Sequence, residues 1–540
     1  MLGRLRANPW ATVLVVCLGF FMIMLDTTIV YVATPAMLAG LHATIDQVLW
    51  VFNGYLLAYA VLLITAGRLG DVFGPRNLFA AGLVVFTAAS AACGLSQDAG
   101  QLIAARVVQG IGGAMLAPQS LTILTATFPA ERRGAALGIW GAVIGLSTVA
   151  GPTLGGVIVT YLDWPWIFFL NLPVGAVALV ATLAIVPDVR PGRAHRFDFA
   201  GTVLASAGLL LVVFGLIEGQ KYGWGTVTGT PLTIPEIIAG GLALLVAFIV
   251  FESFQSEPLL PLGLFRNRNF SLMNWTGAAM QYGMQGIFIP ITIYTQSVLG
   301  MSALQSGLTV APMSLASAVV APFAGRLADR FGGKYLLMAG LAIFGLGAGA
   351  TVYFAQLDST SWTFVPPFIV TGLGLGLVFA PMTTVAMRDI QPAQAASASA
   401  VLNTTRQLGS VVGAAVVGAV LQNRLAVAFH DQAVAYSGQL PAAFRAAFVG
   451  SFDAAAKGGL QLGRGQAGAA LPAGVPAQVA ATVQRLAHEV FAHGFLIAYK
   501  PTVYLAVAVL LVAAASCVLV AGDRRAVTAP QLPAESARAA

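Results

Sequence analysis

The chain has 540 residues, 58% of them hydrophobic and only 9% charged, where a soluble domain carries about a quarter charged residues. No soluble fold of this length covers its surface with so few charges, so an all-α polytopic membrane protein is expected. The net charge of +7 contains no Lys/Arg cluster interleaved with aromatics, which excludes a nucleic-acid partner.

A spanning helix needs about 20 mostly apolar residues. Fourteen stretches qualify: 11–33, 47–66, 78–96, 101–125, 136–160, 166–186, 199–218, 235–252, 270–297, 304–324, 335–355, 364–386, 396–422 and 496–521. Their long unbroken runs predict helices and not the short alternating segments of a barrel, because backbone groups in lipid must bond within their own segment. The first run follows Arg4 and Arg6 without a small-residue cleavage site, and is expected to be a span and not a removed signal. With the N-terminus in the cytoplasm, the inner loops hold Arg68 and Arg76, Arg132 and Arg133, Arg266 and Arg268, then Arg326, Arg330 and Lys334. The short outer loops hold only Lys221. The Lys/Arg bias therefore predicts both termini on the inside of a multi-pass protein of the cytoplasmic membrane.

Span 1 carries Asp26. A carboxylate in an apolar run is costly and functional by default, so Asp26 is a candidate to take up and release protons; a hydrogen-bond anchor is the plainer reading. No other acid lies in the middle of a span. After span 2 comes a charged island, residues 67–76, with Gly67, Asp71, Gly74 and Arg76. It returns at residues 325–332, matching 67–74 at six of eight positions, with Gly325, Asp329, Arg330 and Gly332. A phrase repeated after the second helix of each unit predicts two related six-helix halves. The second half then begins at span 9, and spans 7 and 8 are an insert. The expected division is 1–190 for the first half, 191–269 for the insert and its linkers, 270–522 for the second half including a long outer loop 423–494, and 523–540 for a cytoplasmic tail.

In span 4, Arg106 needs a partner inside the membrane, and Asp26 is the candidate; a static charge near the outer end of the span is the alternative. Gln109 follows one turn later. Span 5 holds Gly145, Gly151, Pro152, Gly155 and Gly156. Small residues four apart let helices pack backbone to backbone, and proline permits a bend. Trp164, Trp166 and Phe168 are expected as an interfacial anchor. A polar, adaptable face on span 9 (Asn274, Gln281, Gln285, Phe288) together with Tyr31, Asn53, Tyr59 and Gln109 predicts a large amphipathic cavity; Trp50 and Tyr55 offer similar chemistry. Interhelical hydrogen bonding is the plain reading of each residue taken singly. In span 13, Asn403, Arg406, Gln407 and Gly409 form a polar stretch without an assignable role. In the outer loop, Phe444, Phe448 and Phe452, and then Val479, Val483, Leu486 and Val490, predict two short amphipathic helices on the membrane surface, with a flexible middle. The three cysteines lie in apolar runs and are expected as packing residues. The five histidines are scattered and form no metal or catalytic cluster.

These motifs resemble the major facilitator superfamily, in particular the 14-span drug:proton antiporters of the EmrB/QacA type, from about Leu14 to Val520. Gly67, Leu69, Asp71, Gly74 and Arg76 match the superfamily's loop signature. Leu25, Asp26, Thr28, Ile29, Val30 and Pro35 match its span 1 pattern, from which Tyr31 and Thr34 depart. Arg106, Gln109, Gly110, Gly112 and Ala114 match its span 4 pattern, and Gly151, Pro152, Gly155 and Gly156 its antiporter motif. The resemblance implies a major facilitator fold of two six-helix halves plus two inserted helices. It also implies that the 67–76 loop latches a cytoplasmic gate, and that amphipathic or cationic drugs leave the cell by alternating access as protons enter, which would confer antibiotic resistance. The driving force is then the proton gradient, with no cofactor, no metal and no enzymatic activity. Expected partners are small amphipathic substrates, protons and membrane lipid, and loop 423–494 is a candidate docking surface for an accessory protein. The alternatives are an exporter of one metabolite, lipid or siderophore and, more remotely, a membrane-embedded transferase.

Overall fold

A computed structural model describes residues 8–128, 150–188, 198–255, 260–331, 333–390, 395–457 and 477–521, with positions 143, 147 and 258 between them. Among the described residues there are helices and no strand. The first four expected spans are α1 (Pro9–Gly40), α2 (Ile45–Phe73), α3 (Pro75–Gly94) and α4 (Ala99–Thr127). The fifth, α5, is described over residues 150–161. The sixth divides into a short α6 (Trp166–Phe169) and α7 (Asn171–Ile185). The insert is α8 (Phe199–Glu218) and α9 (Ile234–Ser253), followed by α10 (Arg268–Ile293), α11 (Ala303–Phe331) and α12 (Gly333–Tyr353). The twelfth span breaks into α13 (Ser361–Gly376) and α14 (Phe379–Met387). Last come α15 (Ala395–Ser437), α16 (Ala442–Lys457) and α17 (Ala477–Ser516).

Twelve helical stretches among the described residues are long and apolar enough to cross a membrane. Two of the expected fourteen are not among these twelve, and the count is consistent with fourteen. One is α5, only partly among the described residues. The other is α10, whose buried face includes Asn274, Thr276 and Gln285 and is correspondingly less apolar.

The turn from α2 to α3 consists of one residue, Gly74, at φ +88°. Its N–H closes α2 on the Gly70 carbonyl at 2.9 Å, and its carbonyl accepts from Leu78 at 3.1 Å in α3. Pro75 occupies the first position of α3, where a missing N–H costs nothing. A side chain at this φ meets its own backbone, so the glycine of the repeated phrase is needed for the turn.

The stretch 423–494 is not the loop expected from its composition. α15 continues to Ser437, α16 covers Ala442–Lys457 and α17 begins at Ala477; residues 458–476 lie outside those described. At about 1.5 Å per residue, the 43 residues of α15 and the 40 of α17 reach about 60 Å, twice the hydrocarbon thickness of ~30 Å. Their projecting ends pack with α16 into a cap at the end of the bundle opposite Gly74. Phe429 contacts Phe452 (ring centroids 6.0 Å) and Phe491 (5.7 Å), and Phe448 contacts Phe452 (5.3 Å). The apolar periodicities at 444–452 and 479–490 are real helices, but both pack on α15, through Phe429, instead of lying on a lipid surface. Only one of them is a separate short helix; the other is the start of α17.

The insert is not peripheral throughout. α8 packs on both α2 and α15, across the seam between the N- and C-terminal sets of helices. It is tied to α2 twice: Thr65 Oγ1 and Thr202 Oγ1 are 3.0 Å apart, and Trp50 Nε1 donates to Glu218 Oε1 at 3.0 Å. Trp50 therefore turns to the insert, contrary to its expected place at the cavity. α9 packs on α8 and exposes Leu242, Val246, Ile249 and Val250.

Replacing Gly74 by alanine is expected to destabilise the protein by about 1–2 kcal/mol, the cost of a left-handed non-glycine residue. Gly450→Ala, inside α16 with open space at its Cα, is expected to raise stability by about 0.5–1 kcal/mol through helix propensity alone. Thermal unfolding of the detergent-purified variants checks both signs.

Candidate functional site

Asp26 sits in the middle of α1 with no solvent exposure, and Arg106 of α4 is 1% exposed. The sequence-predicted pair meets: Arg106 Nη1 donates to Asp26 Oδ2 at 2.5 Å. Asp26 Oδ1 accepts from Gln109 Nε2 at 2.8 Å and from Asn171 Nδ2 at 3.1 Å. Three donors on one carboxylate form a charge-assisted set, each bond stronger than a neutral one. Arg106 is satisfied as well. Its Nε donates to the Val51 carbonyl at 3.2 Å, Nη1 also donates to Gln109 Oε1 at 2.7 Å, and the guanidinium lies 4.1 Å over the Tyr55 ring. Ser90 Oγ accepts from Asn171 (3.0 Å) and Gln109 (3.3 Å) and donates to the Phe168 carbonyl (2.9 Å).

Helix geometry explains the meeting. Arg106 and Gln109 are three residues apart, hence on one face of α4. That face comes close to its neighbours because the next residues lack side chains: a Cβ at Gly110 would collide with the Tyr55 carbonyl, and one at Gly112 would lie 2.6 Å from the Phe86 nitrogen. Asn171 enters from the N-terminal turn of α7. Gln109 thus belongs to the charged centre, not to the cavity where it was expected. Asn171, Ser90 and Cys93 (Sγ to Gln109 Oε1, 3.5 Å) were given no role at this centre from sequence, where Cys93 was expected only to pack, since small polar residues in spans carry no mark of what they bond. A proton on Asp26 would dissolve the ion pair and leave Arg106 with Val51, Gln109 and the Tyr55 face.

A second cluster joins the N- and C-terminal helices. Tyr31 Oη donates to Gln285 Oε1 at 2.5 Å, and its ring stacks on Phe52 (4.9 Å) and Phe288 (5.7 Å). Gln296 Nε2 donates to the Val32 carbonyl at 2.9 Å. Tyr31, Gln285 and Phe288 therefore form a closed aromatic–amide contact. Asn53 and Asn274 spend their amide N–H groups on their own helices, on the Leu49 and Phe270 carbonyls, and their Oδ1 atoms are buried without a hydrogen bond. Tyr59 stacks on Tyr55 at 6.0 Å, and Gln281 is half-buried on α10.

Of the glycine–acid loop, Gly67 faces Pro118 and Gly74 makes the turn. Arg76 Nη2 donates to the Leu183 carbonyl at 2.5 Å, capping a last-turn carbonyl of α7 that has no helical partner. Gln119, missed in the sequence, ties α4 to this end of α2 through the Ala66 carbonyl at 2.9 Å. The side chains of Asp71, Asp329 and Arg330, and Gly325 and Gly332, lie outside the described residues, as does Gly145. The remaining antiporter-motif residues wedge α5 between the two sets of helices. Gly151 and Gly155 face Thr28 and Ile29 of α1, while Gly156 and Pro152 face Leu304 and Gly307 of α11.

Residues 16–414 match the family model described as Major Facilitator Superfamily. The chain is 41% identical over 420 residues to an uncharacterized MFS-type transporter of Mycobacterium tuberculosis, covering 78% of this chain and 71% of that protein. It is 37% identical over 515 residues to the tetracenomycin C resistance and export protein of Streptomyces glaucescens, covering 95% and 91%. With the multidrug resistance protein Stp of M. tuberculosis it shares 35% identity over 411 residues, 76% of this chain and 75% of the other. In fold it is similar to a bacterial homolog of the human lysosomal transporter Spinster, with a TM-score of 0.58 and 18% identity over 94% of this chain and 96% of that one.

Arg106→Gln leaves Asp26 buried without its cation, and is expected to cost about 3–5 kcal/mol. The double variant Asp26→Asn/Arg106→Gln is expected to be more stable than Arg106→Gln alone. Denaturant or thermal unfolding of the single and double variants reads the difference, and simple additivity of the two losses would contradict the pairing.

Proposed function

This chain belongs to the Major Facilitator Superfamily, and within it we propose an antiporter that exports amphipathic small molecules across the cytoplasmic membrane as protons enter. The observation that carries the reading is the Asp26 centre. It is a titratable group in the membrane interior, held by a cation whose other contacts survive its loss. Protonation from outside would release Arg106 and bias the helices towards one packing; deprotonation to the inside would restore the pair. Relatives named for multidrug resistance and for tetracenomycin C export support efflux as the direction. The Lys/Arg bias of the loops supports a cytoplasmic Gly74 end.

Two six-helix halves would rock about the Tyr31–Gln285–Phe288 contact, with α5 sliding on α1 and α11 through its glycines. The 67–76 loop and its second copy would latch the cytoplasmic side, and Arg76 on the end of α7 supports that role for the first copy. A second reading, an exporter dedicated to one metabolite, is favoured by one observation: the relative named for a single compound aligns with 95% of this chain.

In proteoliposomes with an imposed pH gradient, Asp26→Asn is expected to abolish proton-driven substrate accumulation while leaving substrate exchange down its own gradient. A gradient of one pH unit supplies about 1.4 kcal/mol per proton, so a one-proton exchange in wild type would sustain about a tenfold concentration ratio. Undiminished accumulation by the variant would sink the assignment of Asp26. A growth-inhibition panel in an efflux-deficient host separates a multidrug exporter from a dedicated one.

A further inference from the structure

The membrane interior holds a second arginine, and its situation is the reverse of the first. Arg406 lies half-buried on α15, and its aliphatic stem crosses Gly277 of α10, where a Cβ would stand 2.8 Å from Arg406 Cγ. The guanidinium is 4.8 Å over the Phe379 ring of α14. Met382 of α14 flanks the same glycine, and Tyr59 of α2 is within electrostatic reach from the N-terminal helices. The side chain thus points to the seam between the two sets of helices and not to lipid.

Its hydrogen bonding is nearly empty. The one acceptor is Asn403 Oδ1, at a long 3.5 Å, and Nε is buried with none. Among the described residues no carboxylate pairs with it, unlike Arg106, Lys221, His430 and Arg485, each of which has an acidic partner. An arginine carries five donors in a planar fork that matches a carboxylate, and a charge kept in hydrocarbon without a partner is expensive. Arg106, in the same bundle, has its carboxylate, two further oxygens and an aromatic face. Arg406 has the aromatic face and lacks the anion. Half-buried Asn403 and Gln407 lie beside it on α15, and the unbonded Asn274 Oδ1 lies one turn from Gly277 on α10.

We propose that Arg406 binds the acidic group of the substrate, so that the exported compound is an amphipathic organic acid, its carboxylate (or an equally acidic oxygen) on the guanidinium and its apolar body among Phe379, Met382 and Tyr59. This narrows the export function proposed above and rests on it. A cationic drug would meet an unneutralised positive charge here, and Asp26, the one acid buried at the middle of a span, is already committed to Arg106.

The test is equilibrium binding to the full-length protein in phosphatidylcholine nanodiscs, with two fluorescent probes of one shape: pyrenebutyrate and its uncharged methyl ester. Binding needs no proton gradient, so the result is independent of whether Asp26 couples protons. Wild type is expected to hold the acid at least tenfold more tightly than the ester. Arg406→Gln is expected to remove that preference while leaving ester affinity unchanged, and Arg406→Lys, which keeps the charge without the fork, to restore part of it. A wild type without preference for the acid overturns the proposal. So does an equal loss of both probes in Arg406→Gln, which is the mark of a packing role. Displacement of the acid on adding phosphatidylglycerol assigns the site to an anionic lipid headgroup and overturns it as well.

Discussion

A carboxylate and a guanidinium facing each other in hydrocarbon set the terms for the N-terminal helices. Each ion costs several kcal/mol to strip of water, and the pair recovers this only if its remaining lone pairs and N–H groups are filled. Here they are filled by Gln109, Asn171, the Val51 carbonyl and the Tyr55 ring. These come from α4, α7 and α2, so α1 must lie where all three reach it. The small residues follow from the same demand. Gly110 and Gly112 let α4 approach α2 and α3 to backbone distance, and a bulkier residue at either would move Arg106 away from the carboxylate. Packing and charge are one constraint at this point in the fold.

The helices and the Asp26–Arg106 pair were legible in the sequence, each through a strong local rule: apolar length and the rarity of charge in a span. The turn was not: residues 67–76 were expected as a loop between spans, whereas α2 runs on to Phe73, α3 begins at Pro75 and Gly74 alone makes the turn. The closing residues of the network were not legible. Asn171 sat in a stretch that also reads as an aromatic interface anchor, and Ser90 and Cys93 sat in a span with nothing to distinguish them from packing. Side-chain direction was lost for the same reason. Gln109 and Trp50 have the chemistry of a cavity wall, but the helix face they occupy points to Asp26 and to Glu218. The stretch 423–494 was misjudged because its alanine and glycine content suggests a loop, whereas α15 and α17 are each longer than a bilayer is thick and α16 packs on the extended part of α15.

The buried Arg106 and the half-buried Arg406 differ in their neutralisation. Arg106 has its carboxylate within the chain, whereas Arg406 has none among the described residues; on the functions proposed above, the first would answer a proton and the second a ligand. If one organic anion left for each proton that entered, two positive charges would move inward per cycle. At about 2.3 kcal/mol per charge for 100 mV, the membrane potential would then outweigh a pH gradient of one unit as the source of work. A monovalent cation exchanged for one proton would draw nothing from the potential.

The cap has a mechanical meaning beyond its packing. α15 and α17 pass from the bilayer into the cap as continuous helices, without a loop at the membrane surface. A helix transmits a tilt along its length. A rocking of ~15°, of the size known for subunit rotations, carried to a tip ~30 Å above the hydrocarbon by a rise of about 1.5 Å per residue, sweeps that tip through ~8 Å. The Phe429–Phe452–Phe491 knot binds α16 to the same lever. The cap is thus a pointer fixed to the C-terminal helices, and if those helices rock as proposed, whatever touches it outside the membrane would feel the motion as a displacement.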